Sequence, residues 1–183
     1  LEMEGTVYRA GSCFERNGRE LSRCGWAFVC VDDEGCIVGS DYGTCPPWVD
    51  DIGGAEAWAM LQATLCAMPG LAKFWTDCQP LLTMISKGQH IAEDPKNIYA
   101  RVHSLLMPML DDTPLEMIGW MPSHTTVKQV GKVRRGDGKL LTIIDCKSND
   151  GAARLAKKGA SLHRVPATEV NAWKEHFEIV RQR

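Results

Sequence analysis

The chain has 183 residues, enough to bury one substantial core and too few for two comfortable ones. Its 21 Lys and Arg stand against 23 Asp and Glu, a formal charge of -2, so no overall field draws it to a polyanion and any nucleic-acid surface must be local. No stretch approaches the ~20 continuous apolar residues of a membrane span, and Leu1-Glu2-Met3-Glu4 resembles neither a signal peptide nor a transit peptide.

In chain order, residues 6–12 read as a strand. Residues 23–31, with Trp26, Phe28 and Val29, read as a second, and 36–42 as a third after the turn Asp32-Asp33-Glu34-Gly35. Consecutive strands with such short connections predict an antiparallel meander. Ala57, Leu61, Thr64 and Leu65 fall on one side of a helix over 54–68, closed by Pro69-Gly70. The short apolar segment 71–76 reads as a fourth strand. A short helix follows over 79–87, closed by Gly88, and a longer one over 95–110, with Asp94 before it and Pro95 at its first position. Residues 115–121 read as the fifth strand. A period of two that gives way to 3.6 and then alternates is an α/β signature.

Residues 122–140 are polar and carry Lys128, Lys132, Arg134, Arg135 and Lys139 among glycines at 131, 136 and 138. That is the composition of a mobile basic loop or of a solvated linker. Residues 142–145 predict a single capped turn, and 149–158 a helix ending at Gly159. Over 166–181, Val170, Trp173, Phe177 and Val180 recur at helical spacing, so a last amphipathic helix carries a stripe that can dock on this domain or on a neighbour. The eight cysteines, at 13, 24, 30, 36, 45, 66, 78 and 146, include no Cys-x2-Cys pair. Zinc ligands would have to be gathered from scattered elements, and the expectation is reduced thiols in an intracellular compartment. Trp48, Trp58, Trp75 and Trp120 read as core or core-edge residues.

Five short motifs occur in a telling order: Ala10-Gly11-Ser12-Cys13 in the first strand, Gly54-Ala55-Glu56-Ala57-Trp58 at the first helix, Trp75-Thr76-Asp77-Cys78-Gln79 ending the fourth strand, Trp120-Met121-Pro122-Ser123-His124 after the fifth, and Asn149-Asp150-Gly151-Ala152-Ala153 in the helix beyond. In that order they resemble the ribonuclease H family over about residues 6 to 160. The resemblance implies an α/β fold with a five-stranded mixed sheet flanked by helices. It implies a domain over 1–162 with a C-terminal helical extension over 163–183. It also makes Glu56 and Asp77 the retained metal-binding carboxylates and His124 the loop histidine of a remnant catalytic site.

Two positions depart from the pattern, because Ala10 and Ala153 stand where the family carries the first and last carboxylates. Phosphodiester hydrolysis of this class needs carboxylates clustered around two Mg²⁺ ions about 3.5–4 Å apart, and a methyl group cannot ligate Mg²⁺. Glu56 and Asp77 alone would hold one weak ion at most, so no cofactor is expected as written, and Mg²⁺ only if the missing carboxylates were restored. Asp145 and Asp150 are the nearest substitutes in sequence. Arg9 also stands where the family often has a small polar residue. The reading that follows is a catalytically inactive ribonuclease H-like domain, akin to those of reverse-transcribing mobile elements. It would bind structured RNA or an RNA/DNA hybrid through Ser12, Lys128, Lys132, Arg134 and Arg135, or serve in an RNA-protein assembly through the Trp173–Phe177 stripe. The alternatives are a ribonuclease H, cleaving the RNA strand of RNA/DNA hybrids, that carries inactivating substitutions, and a domain that contacts only proteins.

Overall fold

The computed structural model describes residues 3–14, 19–68 and 70–181; Leu1, Glu2 and Pro69, the last expected to help close the first helix, lie outside them. Strands β1 (Thr6–Phe14), β2 (Arg23–Val31) and β3 (Ile37–Thr44) form the expected meander. Two further strands, β4 (Lys73–Thr76) and β5 (Ile118–Trp120), add parallel to β1, giving a five-stranded mixed sheet of order β3-β2-β1-β4-β5. Parallel neighbours require a crossover, and the helices α1 (Ile52–Cys66), α2 (Gln79–Lys87), α3 (Gln89–Ala92) and α4 (Ala100–Leu106) lie in the two connections that supply it. Helices α5 (Ile143–Ser161) and α6 (Ala167–Arg181) follow the sheet.

Because side chains alternate along a strand, β1 serves two cores at once. Val7 and Cys13 enter the core shared with Met60 of α1, Phe28, Phe74 and Leu106, whereas Tyr8 and Ala10 enter a second core with Val29, Trp75, Leu141, Ala152 and Ala156 of α5. A smaller cluster joins Val165, Val170 and Trp173 at the base of α6 to Leu21.

Several boundaries differ from the sequence reading, each for a local reason. Helix α1 starts two residues early because the Asp51 carboxylate accepts from the Gly54 backbone N–H at 2.8 Å. It ends at Cys66 because Ala67 and Met68 are drawn into pairing with Met3. The helix expected over 95–110 begins only at Ala100: Asp94 and Asn97 spend their side chains on a turn, accepting from the backbone N–H groups of Lys96 and Tyr99. Ile143–Ser161 is one helix rather than a turn and a helix, with its N-cap Thr142 and Asp145 forming a capping box at its start. Gly159 does not stop it. A β-carbon there would lie 2.4 Å from the Gly43 carbonyl oxygen, so this glycine lets the helix backbone rest directly on the sheet.

Residues 122–140 are not the loose loop expected. A one-turn 3-10 helix, Val127–Gln129, is held by a capping box from Thr126 and Gln129. Backbone bonds from Gly131 to Leu141 (2.9 Å) and Leu141 to Val133 (2.8 Å) close the segment on itself, and one from Gly136 to Trp120 (2.8 Å) ties it to β5 at the sheet edge.

Candidate functional site

The strands β1, β4 and β5 run parallel, so their carboxyl ends share one edge of the sheet, the usual place for a site in such architectures. Gly11 closes this edge against α1, since a β-carbon there would meet the Glu56 backbone nitrogen at 2.7 Å. The close approach lets the Gly11 N–H donate to Glu56 Oε1 at 2.9 Å. The other carboxylate oxygen, Oε2, accepts from Arg9 Nη1 at 2.7 Å. Arg9 is fully buried, an extreme position for a guanidinium, and its remaining contacts are the Glu56 backbone carbonyl at 2.8 Å and the Thr76 hydroxyl, reached by Nη2. Its Nε has no partner. Burial pushes the Glu56 carboxyl above its ordinary range, Arg9 and the Gly11 N–H pull against that, and the charge of nearby Asp77 adds to the rise.

A second buried polar network lies across the sheet, under α5. Asp145, fully buried, accepts from the Tyr8 hydroxyl at 2.6 Å, from Arg135 Nη1 at 2.8 Å, and from the backbone N–H and hydroxyl of Thr142, each at 2.7 Å. Burial works to raise its carboxyl, but these donors outweigh it and hold Asp145 below the usual carboxylate range. Arg135 stacks 4.4 Å from the centre of the Trp75 ring and also pairs with Asp137 at 3.1 Å.

No family model matches the sequence, and no match is found among curated proteins. Among solved structures, the prototype foamy virus (PFV) ribonuclease H domain has a TM-score of 0.54 at 15% identity, covering 88% of this chain and 97% of that one. Ribonuclease H1 of the halophilic archaeon Halobacterium salinarum gives 0.54 at 14%, covering 86% and 98%. The foamy viral protease-reverse transcriptase solved with an RNA/DNA hybrid gives 0.58 at 13%; the match covers 88% of this chain, which spans only 20% of that longer one. The fold is ribonuclease H-like.

Within this ribonuclease H-like fold, the residues expected to form the remnant site separate into three groups. Glu56 and Asp77 do come together at the edge, through the Arg9 contacts to Glu56 and to Thr76, the neighbour of Asp77. Ala10 and Ala153 belong to one apolar cluster beneath α5. His124 follows β5 at the same edge, exposed and with a left-handed φ of 51°. Neither proposed substitute supplies the missing oxygens. Asp145 is consumed by its own network, and Asp150 faces solvent in an ion pair with Arg154 at 3.1 Å. Among the described residues no three or more His, Cys, Asp or Glu side chains converge to hold a metal.

The groups present do not fit the divalent ion that the fold family implies. Both Glu56 oxygens are taken, and an ion beside Oε2 would face the Arg9 guanidinium. For a divalent ion about 4 Å from a unit positive charge, the repulsion is roughly 8 kcal/mol at an effective dielectric constant of about 20. Of the expected nucleic-acid contacts, Lys128, Lys132 and Arg134 are exposed. Ser12 is instead buried on β1, and Arg135 is committed to Asp145, Asp137 and Trp75. Arg9 and Thr76 were not singled out from sequence as a contacting pair. The available signal was a charged residue at an inward position between Val7 and Gly11, which demands a buried partner.

Proposed function

We propose that this chain is a catalytically silent ribonuclease H-like domain that binds RNA or an RNA/DNA hybrid. One observation carries the reading: a guanidinium, covalently part of the chain, neutralises the retained Glu56 where the family's chemistry would need hard oxygen ligands for metal. Alanine at 10 and 153 removes two ligands, and Arg9 engages a third. Nucleic-acid binding rests on the fold and on the exposed cations Lys128, Lys132 and Arg134. Such contacts grip phosphates and carry no base information. The purified chain is expected to retain a fluorescent RNA/DNA hybrid with strong salt dependence and to leave it intact in Mg²⁺ or Mn²⁺. Metal-dependent cleavage abolished by Glu56→Gln would refute the silent reading, and absence of any retained nucleic acid would refute the binding reading.

A second reading, a domain that contacts only proteins, has one observation in its favour. Beyond Trp173, helix α6 leaves Phe177, Ile179 and Val180 each more than half exposed. Loss of hybrid binding on the arm above would select it.

A further inference from the structure

Cys13 and Cys24 face one another across β1 and β2, in direct antiparallel register. Residues so paired have Cα atoms about 4.5–5.5 Å apart, inside the span a disulfide bridges. The side chains are already oriented for it: Cys24 Sγ lies 2.8 Å from Cys13 Sγ, about 0.8 Å beyond a disulfide bond length. Both sit at the foot of α1. Cys24 Sγ is 3.4 Å from the carbonyl oxygen of Asp51, the residue that caps the helix, and Ser22 Oγ is 2.8 Å from Cys13 Sγ while donating to the Asp50 carbonyl. A third buried thiol, Cys45, is near but not opposed to either: its backbone N–H donates to the Cys24 carbonyl at 2.8 Å.

We propose that Cys13 and Cys24 are a redox modification site that closes to a cross-strand disulfide when the protein meets a small disulfide oxidant. The balance is a double exchange. The Cys13 thiolate attacks the oxidant, forming a mixed disulfide and releasing one small thiol. The Cys24 thiolate then attacks the Cys13 sulfur and releases the second, so the protein loses two electrons and two protons and the oxidant gains them. Cys13 is the entry point because it is the less buried of the two, and both are shielded enough that closure is slow in the native fold. The bridge would fix β1 to β2 two residues beyond Gly11, the donor to Glu56. The inference holds whether or not the domain binds nucleic acid.

The test refolds the full chain from denaturant in a glutathione redox buffer, so that oxidant reaches every thiol, and then alkylates and maps the peptides. Cleavage after Arg16, Arg23 and Trp26 separates the two cysteines and isolates Cys24 from the others. The Cys13–Cys24 link is expected to exceed any other pair at least tenfold, with Cys45 recovered alkylated, and Cys24→Ser is expected to abolish the intramolecular link at Cys13. The oxidised chain should also melt roughly 5–10 °C above the reduced one, as closure of a short loop predicts. Recovery of both Cys13 and Cys24 as alkylated thiols, comparable yields of pairs with Cys45, or an unchanged or lower Tm on oxidation would each overturn the proposal.

Discussion

Replacing Arg9 by Met is the sharpest test of how the candidate site is held together. The substitution keeps an unbranched side chain of similar length but removes the cation, stranding the Glu56 carboxylate with the Gly11 N–H as its remaining donor. Breaking a buried ion pair from one side costs about 3–5 kcal/mol, because a charge stays behind without its partner. The Glu56 carbonyl also loses its Arg9 donor, whereas the Thr76 hydroxyl still accepts from the Cys78 backbone N–H at 2.9 Å. Inside α1 that carbonyl keeps its helical donor, so losing Arg9 there adds little and the total stays within that range. For a domain of this size it amounts to roughly 10–20 °C in Tm. The double variant Arg9→Met with Glu56→Leu should recover most of the loss, since replacing both partners of a buried pair by apolar groups is often neutral. The assay is urea denaturation of wild type, both single variants and the double, closed as a thermodynamic cycle. Without Arg9, the folded-state pKa of Glu56 rises further above its unfolded value. The single variant should therefore approach wild type at low pH and lose stability as pH climbs through that folded pKa. A cost below about 1 kcal/mol for Arg9→Met, or additivity in the cycle, would refute the reasoning.

Restoring Ala10→Asp and Ala153→Asp with Arg9 in place should produce neither hybrid cleavage nor a Mg²⁺-dependent rise in Tm, whereas adding Arg9→Ser should permit the rise; equal metal response in the two variants would mean that Arg9 blocks nothing. Changing Lys128, Lys132 and Arg134 to Gln should weaken hybrid binding and reduce its salt slope by roughly 2–3, as expected for three lost phosphate contacts. Arg135→Gln should instead destabilise the fold by about 3 kcal/mol with little effect on the slope, read by parallel urea titrations and anisotropy at several salt concentrations. Asp145 has its folded pKa depressed, so its contribution is present above the unfolded pKa and lost as pH falls through the folded value. Asp145→Asn should cost about 3–5 kcal/mol at neutral pH and flatten the acid limb of the stability curve.

The sheet was legible because apolar, aromatic-bearing runs such as Arg23 to Val31, buried along nearly their whole length, are bounded by polar turns, and α1 because Ala57 and Leu61 recur at helical spacing, although Leu65, read onto the same side, is exposed. The meeting of Glu56 and Asp77 followed from the ordered motifs. What sequence could not convey was the second use of familiar residues. Gly159 reads as a helix stop but serves as a contact surface for Gly43, and Asp145 reads as the end of a separate turn and a substitute carboxylate but caps α5 and anchors Tyr8 and Arg135. The segment 122–140 reads as loose because its composition is polar, whereas its order comes from backbone bonds to Trp120 and Leu141, which composition does not register. Arg9 is the clearest case: its role depends on a partner 47 positions away, and local patterning is blind to such pairs.

A dissociable counter-ion fills its place only as far as its concentration and affinity allow, so a fold that leans on one is tied to the ionic composition around it. The Arg9 guanidinium is present in every copy of the chain at fixed stoichiometry. On the silent reading proposed above, chelators should have nothing to remove from Glu56, and changes in divalent cation supply should leave this edge of the sheet unchanged. The arrangement also works as a ratchet against gradual change. On the same reading, an added carboxylate at position 10 or 153 would gain no metal while Arg9 remains, and removal of Arg9 alone would strand a buried charge, so a route that trades the guanidinium for an ion would pass through a less stable chain.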